Sequence, residues 1–436
     1  MIAQRWLQQN QHRWLRWTRT IGSLAISSLA AQLISAIAGF ILIRSLEKPD
    51  FAWFTIATGI TSTLNILADA GIGGATTAIG GTVWQNKQAL SNLVETALRL
   101  RVRMTVIAAV VTAPISLYLL TKNNCPWSQA ISLTIIVLLP LGQISTTMIY
   151  TVVNRLHSRT KHLQIADLVP ASTRMIVVCT LAATDLLSVT TALAAGLATQ
   201  LLHFGIVRSQ VSALVDAKRD DQLQARFTSE IWTKVRQLYP NSIFYCLQGQ
   251  LSTWLITIFA STNEVADFGA LCRIAVIFAV FNGPMAHWIS PAFARAKTRR
   301  RCAFIFLGSY GLVGALSAPL ILCAAIRPEW LLWVLGPGYQ TLTQEVFLMS
   351  ALTIIQAAVN IGWGLNYAKG WVKTVSANIP LTIGVQATAL IYIPVDTLSG
   401  VILLSLCVSC VQWLHATSVT VVGILRHSHQ GSPATR

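Results

Sequence analysis

Two arginines lie inside stretches that are otherwise apolar. Arg174 falls in the middle of the run 163–183, and Arg273 lies about two turns into the run 266–294. A charge at such a depth costs about 2.5–3.5 kcal/mol on insertion scales, so it faces a cavity or a partner and marks a functional site by default. The chemistry open to a guanidinium is anion recognition, because its planar fork meets phosphate or carboxylate oxygens two at a time. Asp167 precedes Arg174 by seven residues, which is about two helical turns or roughly 10 Å of rise. The two therefore share a helix face without touching, and Pro170 between them frees backbone polar groups on the same helix. A structural alternative stands beside the functional one: Asp167 paired with an arginine of a neighbouring helix would account for both charges.

Three further positions carry potential chemistry. Asp69 lies deep in the run 51–82 and is followed by Gly71, Gly73 and Gly74, a pattern that suits a helix cap or break better than a binding carboxylate. Arg44 closes the run 21–43 and either gates its mouth or pairs with Glu47. His203, His287 and His415 fall within runs, and His287 sits between Pro284 and Pro291, where a helix should bend. A histidine in such a place is more often a hydrogen-bonded packing residue than a proton carrier. Cys407 and Cys410 form a C-x-x-C in the last run, but no thiolate-stabilising or metal-ligating partner accompanies them.

The elements that must position these residues are membrane spans. Of 436 residues, 54% are apolar and only 11% charged, against about a quarter charged in a soluble domain. A bilayer core about 30 Å thick needs about 20 apolar residues per helix. Twelve runs qualify: 21–43, 51–82, 104–121, 128–153, 163–183, 186–207, 237–260, 266–294, 303–326, 342–368, 374–394 and 398–424. They lack the alternating polarity of barrel strands. The expected fold is an all-α polytopic membrane protein of about 12 helices.

The net charge of +17 resolves along this topology. Sorted by loop, 26 Lys and Arg fall on one side, among them Arg99, Arg101, Arg219 and the cluster Arg295–Arg301, and only Arg44, Lys48, Lys122 and Arg327 fall on the other. Basic loops are cytoplasmic, so both termini are expected inside. With five acids inside and eight outside, the two faces carry +21 and −4. Charge dispersed over loops in this way is a topology signal, and nucleic acid is not an expected partner. Residues 1–20, with Trp6, Trp14 and Trp17 interleaved with arginines, read either as an amphipathic helix in the interface or as a basic tail.

The longest inner loop, 208–236, divides the chain into a bundle at 21–207, a linker, a second bundle at 237–424 and a tail at 425–436. Glu47, Asp50 and Phe51 recur as Glu264, Asp267 and Phe268, 217 residues on, and each set precedes a span that runs from outside to inside. This pattern implies two parallel six-helix bundles.

The segments I-L-I-R-S-L-E-K-P-D-F-A-W-F and L-A-D-A-G-I-G-G-A, with E-V-A-D-F-G-A-L-C-R-I, P-A-F-A-R and W-L-L-W-V-L-G-P-G-Y-Q-T in the second half, resemble polysaccharide-export flippases. These are the lipid-linked oligosaccharide transporters of the multidrug/oligosaccharidyl-lipid/polysaccharide (MOP) superfamily. The resemblance implies a bacterial inner-membrane protein whose two bundles flank a cavity that opens alternately to each side. It also implies a cargo of sugars on a polyprenyl pyrophosphate, held by Arg174 and Arg273, with Arg44, Asp167, Asp69 and His287 as further cavity candidates. Membrane lipids, a polysaccharide polymerase and export machinery are the implied partners. No cofactor is expected, and coupling to a proton or sodium gradient is left open. A drug exporter of the multidrug and toxic-compound extrusion type shares the architecture, but a cavity for cations should be lined with acids. A membrane-embedded glycosyltransferase would need catalytic outer loops, and the outer loops here are short.

Overall fold

The computed structural model describes residues 23, 26–215, 219–274, 289–296, 298–371 and 377–426, with the side chains of 237–243, 245–246 and 291 also left aside. His287 and the stretch 1–20 therefore lie outside the described residues. The described chain is helical throughout. In order the helices are α1 (Ile26–Ser45), α2 (Lys48–Asp69), α3 (Ile72–Val83), α4 (Lys87–Lys122), α5 (Trp127–Leu138), α6 (Leu141–Leu156), α7 (Thr160–Ala183) and α8 (Val189–Val215). After these come α9 (Asp221–Phe259), α10 (Thr262–Leu271), α11 (Ser290–Arg295), α12 (Arg299–Ile326), α13 (Pro328–Leu335), α14 (Thr343–Lys369), α15 (Asn378–Tyr392) and α16 (Leu398–Arg426).

Nine spans among the described residues are long and apolar enough to cross a membrane, counting α5 and α6 as one. The three remaining runs of the expected twelve fall in α9, in α10 with the undescribed stretch after it, and in α15. This is an all-helical polytopic membrane protein.

Several boundaries differ from those expected, for local reasons. The run 51–82 is two helices, because Ala70 and Gly71 both take positive φ (47° and 82°) and end α2. Gly71 occupies this left-handed region without steric cost. The run 128–153 divides at Pro140, which lacks the N–H that would continue the α5 ladder. Pro380 sits in the first turn of α15, where the missing N–H is no loss.

The stretches 83–103 and 208–236, expected as inner loops, are mostly helix. Asn86 caps α4 by accepting from the Ala89 N–H at 3.1 Å, so Arg99, Arg101 and Arg103 ride on a helix. The linker shrinks to the few residues between Val215 and Asp221. It is fastened to α4: Asn92 Oδ1 accepts from the Asp220 N–H at 2.9 Å and from Gln224 Nε2 at 3.2 Å, and Gln224 also donates to Glu95 at 2.8 Å.

The chain forms two compact units whose bounds differ from the expected bundles. One comprises Met1–Ala38 and Ala57–Gly249; the other comprises Gly39–Ile56 and Gln250–Arg436. The first unit centres on Leu93, Leu100, Ile149, Val153, Val207 and Phe227, all buried. The second holds Phe293, Cys302, Leu365 and Ile424 in one cluster.

Lipid tails are as apolar as leucine, so helix association in a membrane rests on close packing and on hydrogen bonds between helices. Both are present. In the first unit Thr105 and Ser145 share a hydrogen bond of 2.8 Å and Ser116 and Thr134 one of 3.0 Å. In the second, Asn366 donates to the Ala416 carbonyl at 2.9 Å and accepts from Thr420 at 2.8 Å.

Candidate functional site

In the first unit Asp69, Arg101, Asp167 and Arg174 lie on α2, α4 and α7, and of the four only Arg101 is buried. Arg101 has only 1% of its side chain exposed and places Nη1 2.8 Å from Asp69 Oδ1. The same carboxylate oxygen accepts from the Gly73 N–H at 3.1 Å. Asp69 thus caps α3 across the Ala70–Gly71 break and neutralises a buried cation at the same time. Arg101 Nη2 points at the Met148 sulfur at 2.9 Å, which joins α6 to the pair. Asp69 is accounted for by these contacts.

Asp167 and Arg174 both lie on α7, and Arg174 is half-buried near its middle. The carboxylate of Asp167 forms no ion pair within 4.0 Å among the described residues; it lies within electrostatic range of His203 on α8 and of Arg155 at the end of α6. Below them Gln210 of α8 clasps the α6–α7 turn, accepting from Asn154 at 3.0 Å and, through its carbonyl, from Arg159 at 2.9 Å.

In the second unit Arg273 comes just after α10, and its guanidinium stem packs against α1 at Gly39: a Cβ there would lie 3.7 Å from Arg273 Cδ and 3.8 Å from Nε. Arg273 Nε is buried with no hydrogen-bond partner among the described residues. A buried, unsatisfied donor on a cation is the feature that an anionic ligand would complete.

Arg44 is engaged with α13. It donates through Nη2 to the Trp333 carbonyl and lies over the Trp333 ring at 4.9 Å, so it caps and stacks on α13 instead of pairing with Glu47. One turn on, Lys48 places Nζ 2.9 Å from Asp267 Oδ1 and 5.1 Å from the centre of the Tyr339 ring. Burial, then the nearby Asp267 carboxylate, pushes the Tyr339 phenol up. The two copies of the repeated E-x-x-D-F sequence therefore meet in space. Gly269 makes the approach possible, since a Cβ there would lie 2.2 Å from Thr55 Oγ1.

No group of three or more His, Cys, Asp or Glu side chains able to hold a metal occurs among the described residues.

No family model matches the chain, and no curated protein matches it by sequence. Its architecture is shared. It is similar to the inward-facing conformation of a multidrug resistance MATE family transporter of the MOP superfamily, with a TM-score of 0.71 at 14% identity over 94% of this chain and 100% of that one. It is also similar to an outward-facing MATE transporter of the same superfamily, with a TM-score of 0.62 at 12% identity over 94% and 96%. The chain has the fold of the MOP superfamily transporters. A third match, with a TM-score of 0.65 at 14% identity over 94% and 96%, is a MOP superfamily transporter from Pyrococcus furiosus described as having a binding pocket of reverse polarity that suggests a different function.

Within the MOP fold, the roles of two residues are hidden in the sequence. Arg101 reads there as one of the dispersed basic residues, because three arginines alternate at 99, 101 and 103 and nothing local shows which one turns inward. Asp267 reads as an outer-face acid. A signal for it is present in the repeat: Asp50 and Asp267 occupy equivalent positions, and Lys48 lies beside the first of them.

Proposed function

We propose that this chain is a MOP-type transporter that moves a polyprenyl-pyrophosphate-linked oligosaccharide from the cytoplasmic to the outer leaflet of a bacterial inner membrane. The observation that carries the reading is the sign of the charge left inside the spans. Asp69 is neutralised by Arg101, which leaves Arg174 and Arg273 against Asp167 as the deep charges. Arginines at this depth favour an anionic cargo, and the Nε of Arg273, which has no hydrogen-bond partner among the described residues, supports a site completed by ligand oxygens. Alternating access would carry the pyrophosphate head across while its tail stays in lipid. A head of about −2 leaving a cell with an inside-negative potential moves with the field, by about 2.3 kcal/mol per charge per 100 mV.

The test is genetic and chemical together. Loss of the gene should strand the lipid-linked repeat unit on the cytoplasmic leaflet, and R174A or R273A should do the same with the protein still in the membrane. Full transport by both variants removes the arginines from the cargo path.

A second reading, export of small cationic drugs, is favoured by the MATE transporters among the fold's matches. It predicts drug efflux that survives R174A and R273A. The Pyrococcus furiosus transporter, whose binding pocket is described as having reverse polarity, supports reading the cargo from the charges of each chain and not from the fold.

A further inference from the structure

The hairpin of α1 and α2 has its tip in the second unit. Residues 39–56, the end of α1 and the start of α2, cluster there, while the rest of both helices clusters in the first unit. Three kinds of contact fasten the tip. Leu42, Ile43, Phe51 and Phe54 are buried, and the two phenylalanine rings stack with their centres 6.0 Å apart. Arg44 donates to the Trp333 carbonyl. Lys48 places Nζ 2.9 Å from Asp267 Oδ1.

These fasteners differ in their response to protons. The apolar packing has no titrating group. Arg44 stays charged across the accessible pH range, and its acceptor is a backbone carbonyl. The pair of Lys48 with Asp267 joins a cation to a carboxylate, and one proton dissolves it.

The surroundings single out Asp267 among the acids at this end. Its side chain is 11% exposed, and a carboxylate taken out of water is stable only where a cation or hydrogen-bond donors compensate it. Two further acids lie within electrostatic range of it: Glu264, three residues earlier on α10, and Glu345, in the first turn of α14. Both have donors of their own. Glu264 accepts from the Ser261 N–H at 3.0 Å, the Ser261 hydroxyl at 2.9 Å and the Leu398 N–H at 3.2 Å. Glu345 accepts from Ser399 Oγ at 2.7 Å. Donors of this kind favour the charged form of a carboxylate. Asp267 has Lys48 among the described residues, set against two negative neighbours. The other group that acts on it from a neighbouring segment is the Tyr339 phenol, which is neutral. Lys48, 31% exposed, can turn to water once the carboxylate is neutral. The first proton taken up by this group of acids therefore goes to Asp267.

We propose that Asp267 is a proton-binding site that releases the hairpin tip. A proton from the medium neutralises the carboxylate, Lys48 leaves, and residues 39–56 loosen within the second unit. The device does not depend on which cargo is carried.

The test is hydrogen–deuterium exchange of the purified full chain in detergent, wild type against D267N, followed in peptides from 46–56 at pH 7.5 and pH 5. The substitution lies outside these peptides, so the ratio of the two rates at one pH cancels the chemistry of exchange, and other titrating groups act in both proteins. D267N is neutral at either pH. It should exchange in 46–56 about tenfold faster than the wild type at pH 7.5, a local opening, and the ratio should fall to about one at pH 5. A ratio near one at both pH values overturns the pair as a fastener. A tenfold ratio at both overturns the proton switch. The increase should stay within 39–56 and 262–271, and an equal rise in peptides from 404–426 would mean general loosening of the second unit and overturn the device. Should D267N fail to fold, the wild type decides alone. Its protection in 46–56, corrected for the intrinsic rate at each pH, should drop about tenfold from pH 7.5 to pH 5, and equal protection overturns the proposal.

Discussion

Arg101 and Asp69 lie 2.8 Å apart, with the arginine 1% exposed and the carboxylate 30% exposed. Because Asp69 also accepts from the Gly73 N–H, one carboxylate holds both the break between α2 and α3 and the only compensation that Arg101 has among the described acids. Removing one partner of a buried pair costs more than removing both.

R101A and D69N should therefore each lower stability by about 3 kcal/mol, the low end of the range for a broken buried pair because Asp69 is partly exposed. D69N leaves an amide oxygen able to cap Gly73, so its loss reports the charge alone. R101M/D69N should be more stable than D69N, a non-additivity measured by thermal unfolding of the purified variants. Additive losses would show that the two residues act separately.

Gly269 against Thr55 offers a suppressor test. G269A drives a methyl into Thr55, whose Oγ1 and Cγ2 would lie 2.2 and 2.7 Å away, and overpacking of this kind costs about 1–3 kcal/mol. T55A removes both of those atoms, so G269A/T55A should recover most of the folded yield that G269A loses. If T55A gives no recovery, the approach of α2 to α10 does not depend on this contact.

Arg44 and Lys48 should differ in how they respond to substitution. Arg44 braces α13 through Trp333, and R44K keeps the charge but loses the planar stacking. R44K and R44A should therefore both speed proteolysis within 336–342. K48M strips the partner from an Asp267 carboxylate that is only 11% exposed, so it should cost about 3 kcal/mol, as for Arg101 and Asp69. Cleavage at the wild-type rate in R44A would show that α13 is held by other contacts.

Transport should separate the deep arginines from these braces. R174A and R273A should lower lipid-linked oligosaccharide transport at least tenfold with unchanged membrane levels, and the Lys variants should retain part of it because charge survives while the fork does not. R44A and K48M should transport in proportion to the folded protein that remains. A loss of transport in R273A that tracks a loss of protein would assign Arg273 to packing against Gly39.

Helical class and the repeated crossing of a membrane can be read directly from the sequence because the bilayer imposes them one segment at a time. About 20 apolar residues make a span whatever surrounds them, and basic residues sort by loop. Helix ends are less legible. Asn86 and Thr298 cap their helices with side chains that the sequence displays, yet α4 and α9 run far past the apolar runs because polar, charged turns can stay helical outside the membrane. The intramembrane arginines are visible in the sequence as anomalies, but their surroundings are not. Arg101 and Arg99 are two residues apart and chemically alike; one is buried on Asp69 and the other rests on the exposed side of Glu95. Only the packing of α4 against α2 and α6 distinguishes them. The pairing of Lys48 with Asp267, over 200 residues away, is of the same kind. Local sequence sets what each helix can bury, and the tertiary contacts decide which charges are neutralised and which stay available for a ligand.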